Sequence, residues 1–292
     1  VSALTTASKD RDLLIQNFHC LTLCHSVVFD EHLNWNSCSA EEIAFLNFSA
    51  NYGFMYQTPE IVGSATLQVV NELGTSRKYK LLERFEFTSE RRRMSVVVDI
   101  NDEIFMYTKG ADDMVHARLD LGLSRDVDAV MFQIEKLSQH GLRLMMLGYK
   151  PIERKAWFAF MLEYSKVKND PTETEKKLQL QDQMESELLL LGACAVEDRL
   201  QESVPDAIRF MRSAGVKVWV ITGDKSQTGL AVARNCQLLD ETCELMLFED
   251  KSEVNESHLA QISRTLKSLS NSQRPACMVH GTYLSTVFEL RY

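Results

Sequence analysis

The pattern that most restricts the fold lies in the last third of the chain, where apolar β-type runs alternate with helical ones. Leu188–Val196, "LLLLGACAV", is a continuous apolar run of the kind a strand covered on both faces shows. A helix capped by Ser203 follows, with Pro205 in its first turn and Val204, Ile208 and Met211 on its core face, and Gly215 closes it. "VKVWVIT" (Val216–Thr222) reads as the next strand and Gln227–Asn235 as the next helix. Parallel strands need crossovers of this kind, so the β–α–β–α order predicts a parallel, doubly wound sheet.

Thr222, Gly223 and Asp224 form the turn between that second strand and its helix. A strand–turn–helix exposes backbone N–H groups at the positive end of a helix, which is how α/β proteins hold phosphate. Neither glycine-rich phosphate signature, G-x-G-x-x-G or G-x-x-x-x-G-K-[ST], is present. Asp224 instead puts a carboxylate at the lip of the turn, so the rest of such a site has to come from elsewhere in the chain.

Upstream the pattern differs. Ser39 and Glu42 are spaced as a capping box ahead of a helix that runs through Ile43, Leu46 and Ala50 to Tyr52 and ends at Gly53. "KYKLLERFEF", "RMSVVVDI" and "EIFMYTK" read as three short strands of an antiparallel meander, the last two joined by an Asn-Asp turn. "DVDAVMFQIEKLSQHG" sets Val127, Val130, Met131, Ile134 and Leu137 on one helical face before Gly141, and "LRLMMLGYK" is a further strand. From Lys150 to Glu187 the chain is charged and glutamine-rich, with a helix starting at Pro171 but little apolar face, which predicts a solvated connector. After Glu244 the signal is weaker, apart from a helical stretch near His258–Leu269 and a strand at "ACMVHG".

The expected fold is therefore α/β in two parts. Residues 1–187, with the connector at about 150–187, form a mixed antiparallel α+β domain, and residues 188–292 form part of a parallel α/β domain. A length of 292 residues suits two cores.

A net charge of −9 argues against general affinity for nucleic acid or for anionic membrane surfaces. Seven cysteines with no C-x-x-C spacing fit free thiols in a reducing, cytosolic compartment. The longest apolar run, Leu188–Val196, is about half a membrane span, so no transmembrane segment is expected, and the absent initiator methionine suggests a piece of a longer protein.

Several polar motifs carry chemistry only in combination. "FTSERRRMSVVV" crowds Arg91, Arg92 and Arg93 at a strand mouth, either a charged hairpin end or an anion site beside the aromatic face of Phe87. "YTKGADD" puts Lys109 at a strand end before a glycine that permits close backbone approach. Arg143 stands near a strand start, where a surface charge is the plain alternative. "VEDRLQE" lies beyond a strand's C-terminal end, where open α/β sheets bind ligands.

Taken in order, "SAEEIAFLNFSANYGFMYQ", "FEFTSERRRMSVVV", "YTKGADDMV", "GLRLMMLGYK", "LLLLGACAVEDRLQESVPDAI" and "GVKVWVITGDKSQTGLAVARNC" resemble the large cytosolic region of P4-type ATPases, the phospholipid flippases, from about Phe18 to Leu239. The resemblance implies a nucleotide-binding domain followed by part of a haloacid-dehalogenase-like phosphorylation domain. It implies an ATP pocket with Phe87 stacked on adenine, Glu42 by the base, Lys109 lining the pocket and Arg143 reaching the phosphates. Thr222, Gly223 and Asp224 match the family's TGD turn, which meets the transferred phosphoryl group, so Asp224 is the catalytic candidate.

Against the family's pattern, Glu41 replaces the aspartate usual before the matching glutamate. No DKTGT motif with the phosphorylated aspartate occurs, nor does the later GDGxND that supplies Mg²⁺ ligands. The resemblance thus implies ATP as substrate, Mg²⁺ held by residues outside these 292, and phospholipid handled by a membrane domain, with an auxiliary membrane subunit allowed. It places the chain at the cytosolic face of a membrane. Two other classes stay open on sequence: a nucleotide-binding regulatory module, and a soluble haloacid-dehalogenase-like phosphatase, the latter disfavoured by the absence of a D-x-D or D-x-x-G-T nucleophile.

Overall fold

A computed structural model describes residues 9–138, 140, 142–197, 200–223, 226–240, 242–248, 275–281 and 284. The expected helix near His258–Leu269 lies outside the described residues. The chain divides into two compact units, one running to Val196 apart from 138–142 and the other comprising 138–142 and the residues after Val196.

The first unit is built on a seven-stranded antiparallel sheet whose order follows the sequence. Helix α1 (Lys9–Leu23) and a small β-ribbon of β1 (Val28–Phe29) and β2 (Trp35–Asn36) precede helix α2 (Ala40–Asn51). Strands β3 (Phe54–Val62), β4 (Ala65–Glu72), β5 (Thr75–Phe85), β6 (Arg93–Ile100) and β7 (Glu103–Gly110) then run as one meander. The expected three-stranded meander is its second half, and Asn101 and Asp102 turn the β6–β7 hairpin with positive φ at both positions (51° and 73°), as a type I′ turn demands. Short helix α3 (Asp112–His116) and helix α4 (Val127–Ser138) lead to β8 (Arg143–Ile152).

Side chains alternate across the sheet. Met94, Val96, Val98, Tyr107 and Leu147 point to one face, where they pack with Phe18, Leu21, Phe45 and Leu46 of α1 and α2. Phe18 stacks on Phe54 with ring centroids 4.6 Å apart. Val97, Ile104, Met106 and Met146 point to the other face and pack with Ile134 of α4 and with Trp157, Tyr164 and Val167.

Those last three residues belong to the stretch expected to be a solvated connector. It holds helix α5 (Arg154–Val167), a 3₁₀ turn at Pro171–Glu173 and helix α6 (Thr174–Met184), which close over the second face. Its polar residues concealed this role, because Gln181 and Glu185 are themselves buried and partnered.

The run Leu188–Val196, expected to open the parallel sheet, is instead the last antiparallel strand, β9 (Leu189–Val196), in register with β8 from Arg143↔Val196 to Tyr149↔Leu189. Both faces are covered at its start, where Leu191 packs into the α1 side and Leu188 and Leu190 into the other, while Ala193 and Ala195 further along this edge strand are exposed. A segment covered on both faces reads as continuously apolar whichever way its neighbour runs, and the small residues Ala193 and Ala195 extend that reading past the covered part.

In the second unit, helix α7 (Val204–Ser213) has Pro205 in its first turn and is closed by Gly215 at φ +81°, as expected. Ser203, however, sits at φ 69° and its side chain makes no capping hydrogen bond. "VKVWVIT" is not a strand: Trp219 is 80% and Ile221 97% exposed, and among the described residues no strand lies beside it to take up its backbone groups. Helix α8 (Ser226–Asn235) follows. Among the described residues, the parallel strand pair joins β10 (Glu244–Phe248) to β11 (Pro275–Val279), and an isolated parallel bridge joins Leu119 to Leu188 in the first unit. No helix among the described residues is long and apolar enough to cross a membrane.

Candidate functional site

Lys109 and Arg143 come from different strands and Phe87 lies two residues past a third, yet the register brings them to one end of the first unit's sheet. Phe85 ends β5 opposite Ser95, Gly110 ends β7 opposite Arg93, and Arg143 begins β8 opposite Val196, so this end is where β5, β7 and β9 finish and β6 and β8 start. Lys109 shares a face with Tyr107 and meets α2. Its Nζ donates to Glu42 Oε1 at 2.9 Å, with each side chain 7% exposed, and lies 5.6 Å from the centre of the Phe45 ring.

Glu42 is more heavily engaged than a capping box requires. Its backbone N–H donates to Ser39 Oγ at 3.4 Å, which is the N-cap contact, but its carboxylate does not return to Ser39. Oε2 accepts instead from the Ser26 N–H, the Ser26 hydroxyl and the Ser37 hydroxyl, each at 3.0 Å. Burial pushes this carboxyl up, and the charge and hydrogen bond of Lys109 with the bonds from Ser26 outweigh it, holding the group below its ordinary range. Ser26 and Ser37 carry no sequence signal for this role.

Arg143 pairs with Glu41, the residue before Glu42, so α2 is tied to β8 beside the Glu42–Lys109 pair. Burial again pushes the Glu41 carboxyl up, while hydrogen bonds from Ser39 and Arg143 bring it below the usual range. Arg143 keeps 42% of its side chain exposed. Phe87 stands two residues past β5 with 59% of its surface exposed. Arg91 and Arg93 are not a surface anion site: both are buried and paired with Glu185, Arg93 pairs with Asp182 as well, and Arg92 pairs with Asp113.

Thr222 and Gly223 are exposed in the second unit, and the Thr222 methyl lies 3.3 Å from where a Cβ on Gly229 would stand, so the turn rests on the first turns of α8. Asp224 lies outside the described residues, as do Asp198 and Arg199 of "VEDRLQE".

Behind Glu42, His25 is buried with Nε2 donating to Thr22 O at 2.9 Å and Nδ1 accepting from the Val27 N–H at 3.1 Å. Those partners suit only the neutral ring. Burial, followed by the charge of Lys109, pushes its pKa down from 6.5 to about 3. Between those values the unfolded chain takes up a proton that the folded one refuses, so stability falls as the pH drops through this window, by at most about 1.4 kcal/mol per pH unit. Urea melts across it should show this slope and His25→Gln should flatten it; an unchanged slope in the variant contradicts the buried neutral ring.

Residues 14–203 match the family described as "P-type ATPase, cytoplasmic domain N". The chain is 32% identical over 247 residues to the phospholipid-transporting ATPase FetA of Mus musculus, covering 82% of this chain and 20% of that protein. It is 32% identical over 241 residues to the probable phospholipid-transporting ATPase 11 of Arabidopsis thaliana, covering 79% and 20%. With the phospholipid-transporting ATPase IC of Homo sapiens it shares 32% over 240 residues, covering 80% and 19%. The chain thus spans about a fifth of the length of these relatives.

Proposed function

The chain belongs to the P-type ATPases, and from that premise we propose that its first unit binds ATP at the sheet end that carries Phe87, Lys109 and Arg143. The observation that carries the reading is the buried, charge-neutral Glu42–Lys109 pair at this end, with two exposed groups of different chemistry at the same end, Phe87 just past β5 and Arg143 at the start of β8. A neutralised floor rich in hydrogen bonds suits an uncharged base better than a phosphate. Phe87 offers an exposed ring to stack on that base, and the half-exposed Arg143 offers a guanidinium fork of the geometry that phosphate accepts.

Thr222, Gly223 and Asp224 act on the transferred phosphoryl group in the second unit, as part of a parallel haloacid-dehalogenase-like domain. In the whole protein, ATP phosphorylates an aspartate and hydrolysis of that acyl phosphate drives phospholipid across a membrane, at whose cytosolic face this region works. An auxiliary membrane subunit belongs to the same reading. The names of the relatives support the lipid substrate. Among the described residues no three His, Cys, Asp or Glu side chains gather as a metal site.

Titration calorimetry with ATP tests the base site. Phe87→Ala should weaken binding by on the order of 1–3 kcal/mol, the scale of one base–aromatic stack. Equal affinities for the two proteins would remove Phe87 from the site.

A further inference from the structure

We infer that Glu185 is a positioning residue for the nucleotide site: through Arg91 its carboxylate sets the turn that presents Phe87. The inference rests on the reading of Phe87 as the residue that stacks on the base. With 59% of its surface exposed, that ring owes its orientation mainly to the backbone beneath it. Three contacts hold this backbone. Arg91 Nη1 donates to Glu86 O at 2.6 Å, the Arg91 N–H donates to Thr88 Oγ1 at 3.1 Å, and the Arg92 N–H donates to Thr88 O at 2.8 Å. The first acts on the residue directly before Phe87, and its donor is placed by Glu185.

Glu185 lies just past the end of α6 and is fully buried. It pairs with Arg91 Nη2, accepts from Arg93 Nε at 2.7 Å, forms an ion pair with Arg93 Nη2 at 2.7 Å, and accepts from Ser95 Oγ at 2.5 Å. One carboxylate thus joins the start of β6, the Phe87 turn and the helix that closes the far face of the sheet. Such a cluster is a poor device for stability, since burying the ions costs about what their attraction returns. Among the described residues, the buried Arg91 Nε finds no hydrogen-bond partner, a further cost. What the cluster supplies that apolar packing cannot is direction: a planar fork fixed at Nη2 by Glu185 and delivering its Nη1 N–H to the Glu86 carbonyl of the turn. Arg92 is held at φ 48°, a conformation that non-glycine residues adopt only when their surroundings impose it, and its carbonyl accepts from the Ala111 N–H at 2.9 Å.

A double-mutant cycle on ATP affinity tests the assignment, because a merely structural residue would act regardless of Phe87. Glu185→Gln keeps the side-chain shape and removes the charge that pins Arg91. It should weaken ATP binding about tenfold in the otherwise unchanged protein, part of one stacking contact, and less than about twofold when Phe87→Ala is already present. Arg91→Lys, which keeps the charge but loses the fork, should give the same pattern and serves if Glu185→Gln does not fold. Equal losses in both backgrounds, or no loss in either, would overturn the positioning role while leaving the base site standing. An unaltered affinity for Phe87→Ala alone would bring down the base site, and the inference with it.

Discussion

Lys109→Met should destabilise the first unit by about 3 kcal/mol, the lower end of the cost of leaving a buried charge without its partner. The lower end applies because Glu42 keeps its three hydrogen bonds from Ser26 and Ser37 when the ammonium is lost. Methionine fills the space of the lysine stem, so cavity formation contributes little. Adding Glu42→Gln to Lys109→Met should recover most of the loss, since the uncompensated carboxylate is then gone. Denaturant midpoints of the two single variants and the double variant check this. A lysine variant as stable as the parent would contradict a buried ion pair at this position.

Gly110→Ala should cost about 3 kcal/mol or more, the upper range for forcing an extra methyl into a packed site. A Cβ there would stand 2.5 Å from Arg93 Cβ, 2.6 Å from Arg92 O and 2.8 Å from Arg93 Cα. These neighbours cannot give way cheaply. Arg93 is held by Glu185 and Asp182, and the Arg92 carbonyl is bonded to Ala111. The glycine is needed for close approach of two strands at the site, and the same displacement should weaken ATP binding by moving Lys109 and the arginine turn together. Urea melts with parallel ATP titrations read both effects. A stable Gly110→Ala protein with normal affinity would show that the β6–β7 end is not packed this way.

Local pattern carried the parts of this fold that depend on neighbours in sequence. The α2 helix with its Ser39 cap, the strands around "RMSVVVDI" and "EIFMYTK", and the core face of α4 apart from Leu137, which is exposed, were legible because turn residues and side-chain periodicity state them directly. What was hidden depended on partners far along the chain. "LLLLGACAV" has one composition for a parallel or an antiparallel neighbour, and only β8 decides between them. "VKVWVIT" has every strand preference but lacks a neighbouring strand among the described residues. The stretch before Leu188 looked solvated because its buried members, Gln181 and Glu185, are polar and find their partners on other elements. Lys109, Glu42 and Arg143 were identifiable as candidates, but their pairing with each other and with Glu41 was not, since residues far apart in sequence meet only through the register of β7 and β8 with α2.

The most direct test of the ATP-binding account is a map of backbone amide shifts in the 292-residue chain as ATP is added. The account predicts changes concentrated at one end of the sheet, around Ser26, Glu42, Phe87, Lys109–Gly110 and Arg143, with the opposite face unaffected. Shifts confined instead to the far face, for example the groove of about 590 Å³ lined by Lys150, Phe160 and Met184, would contradict it.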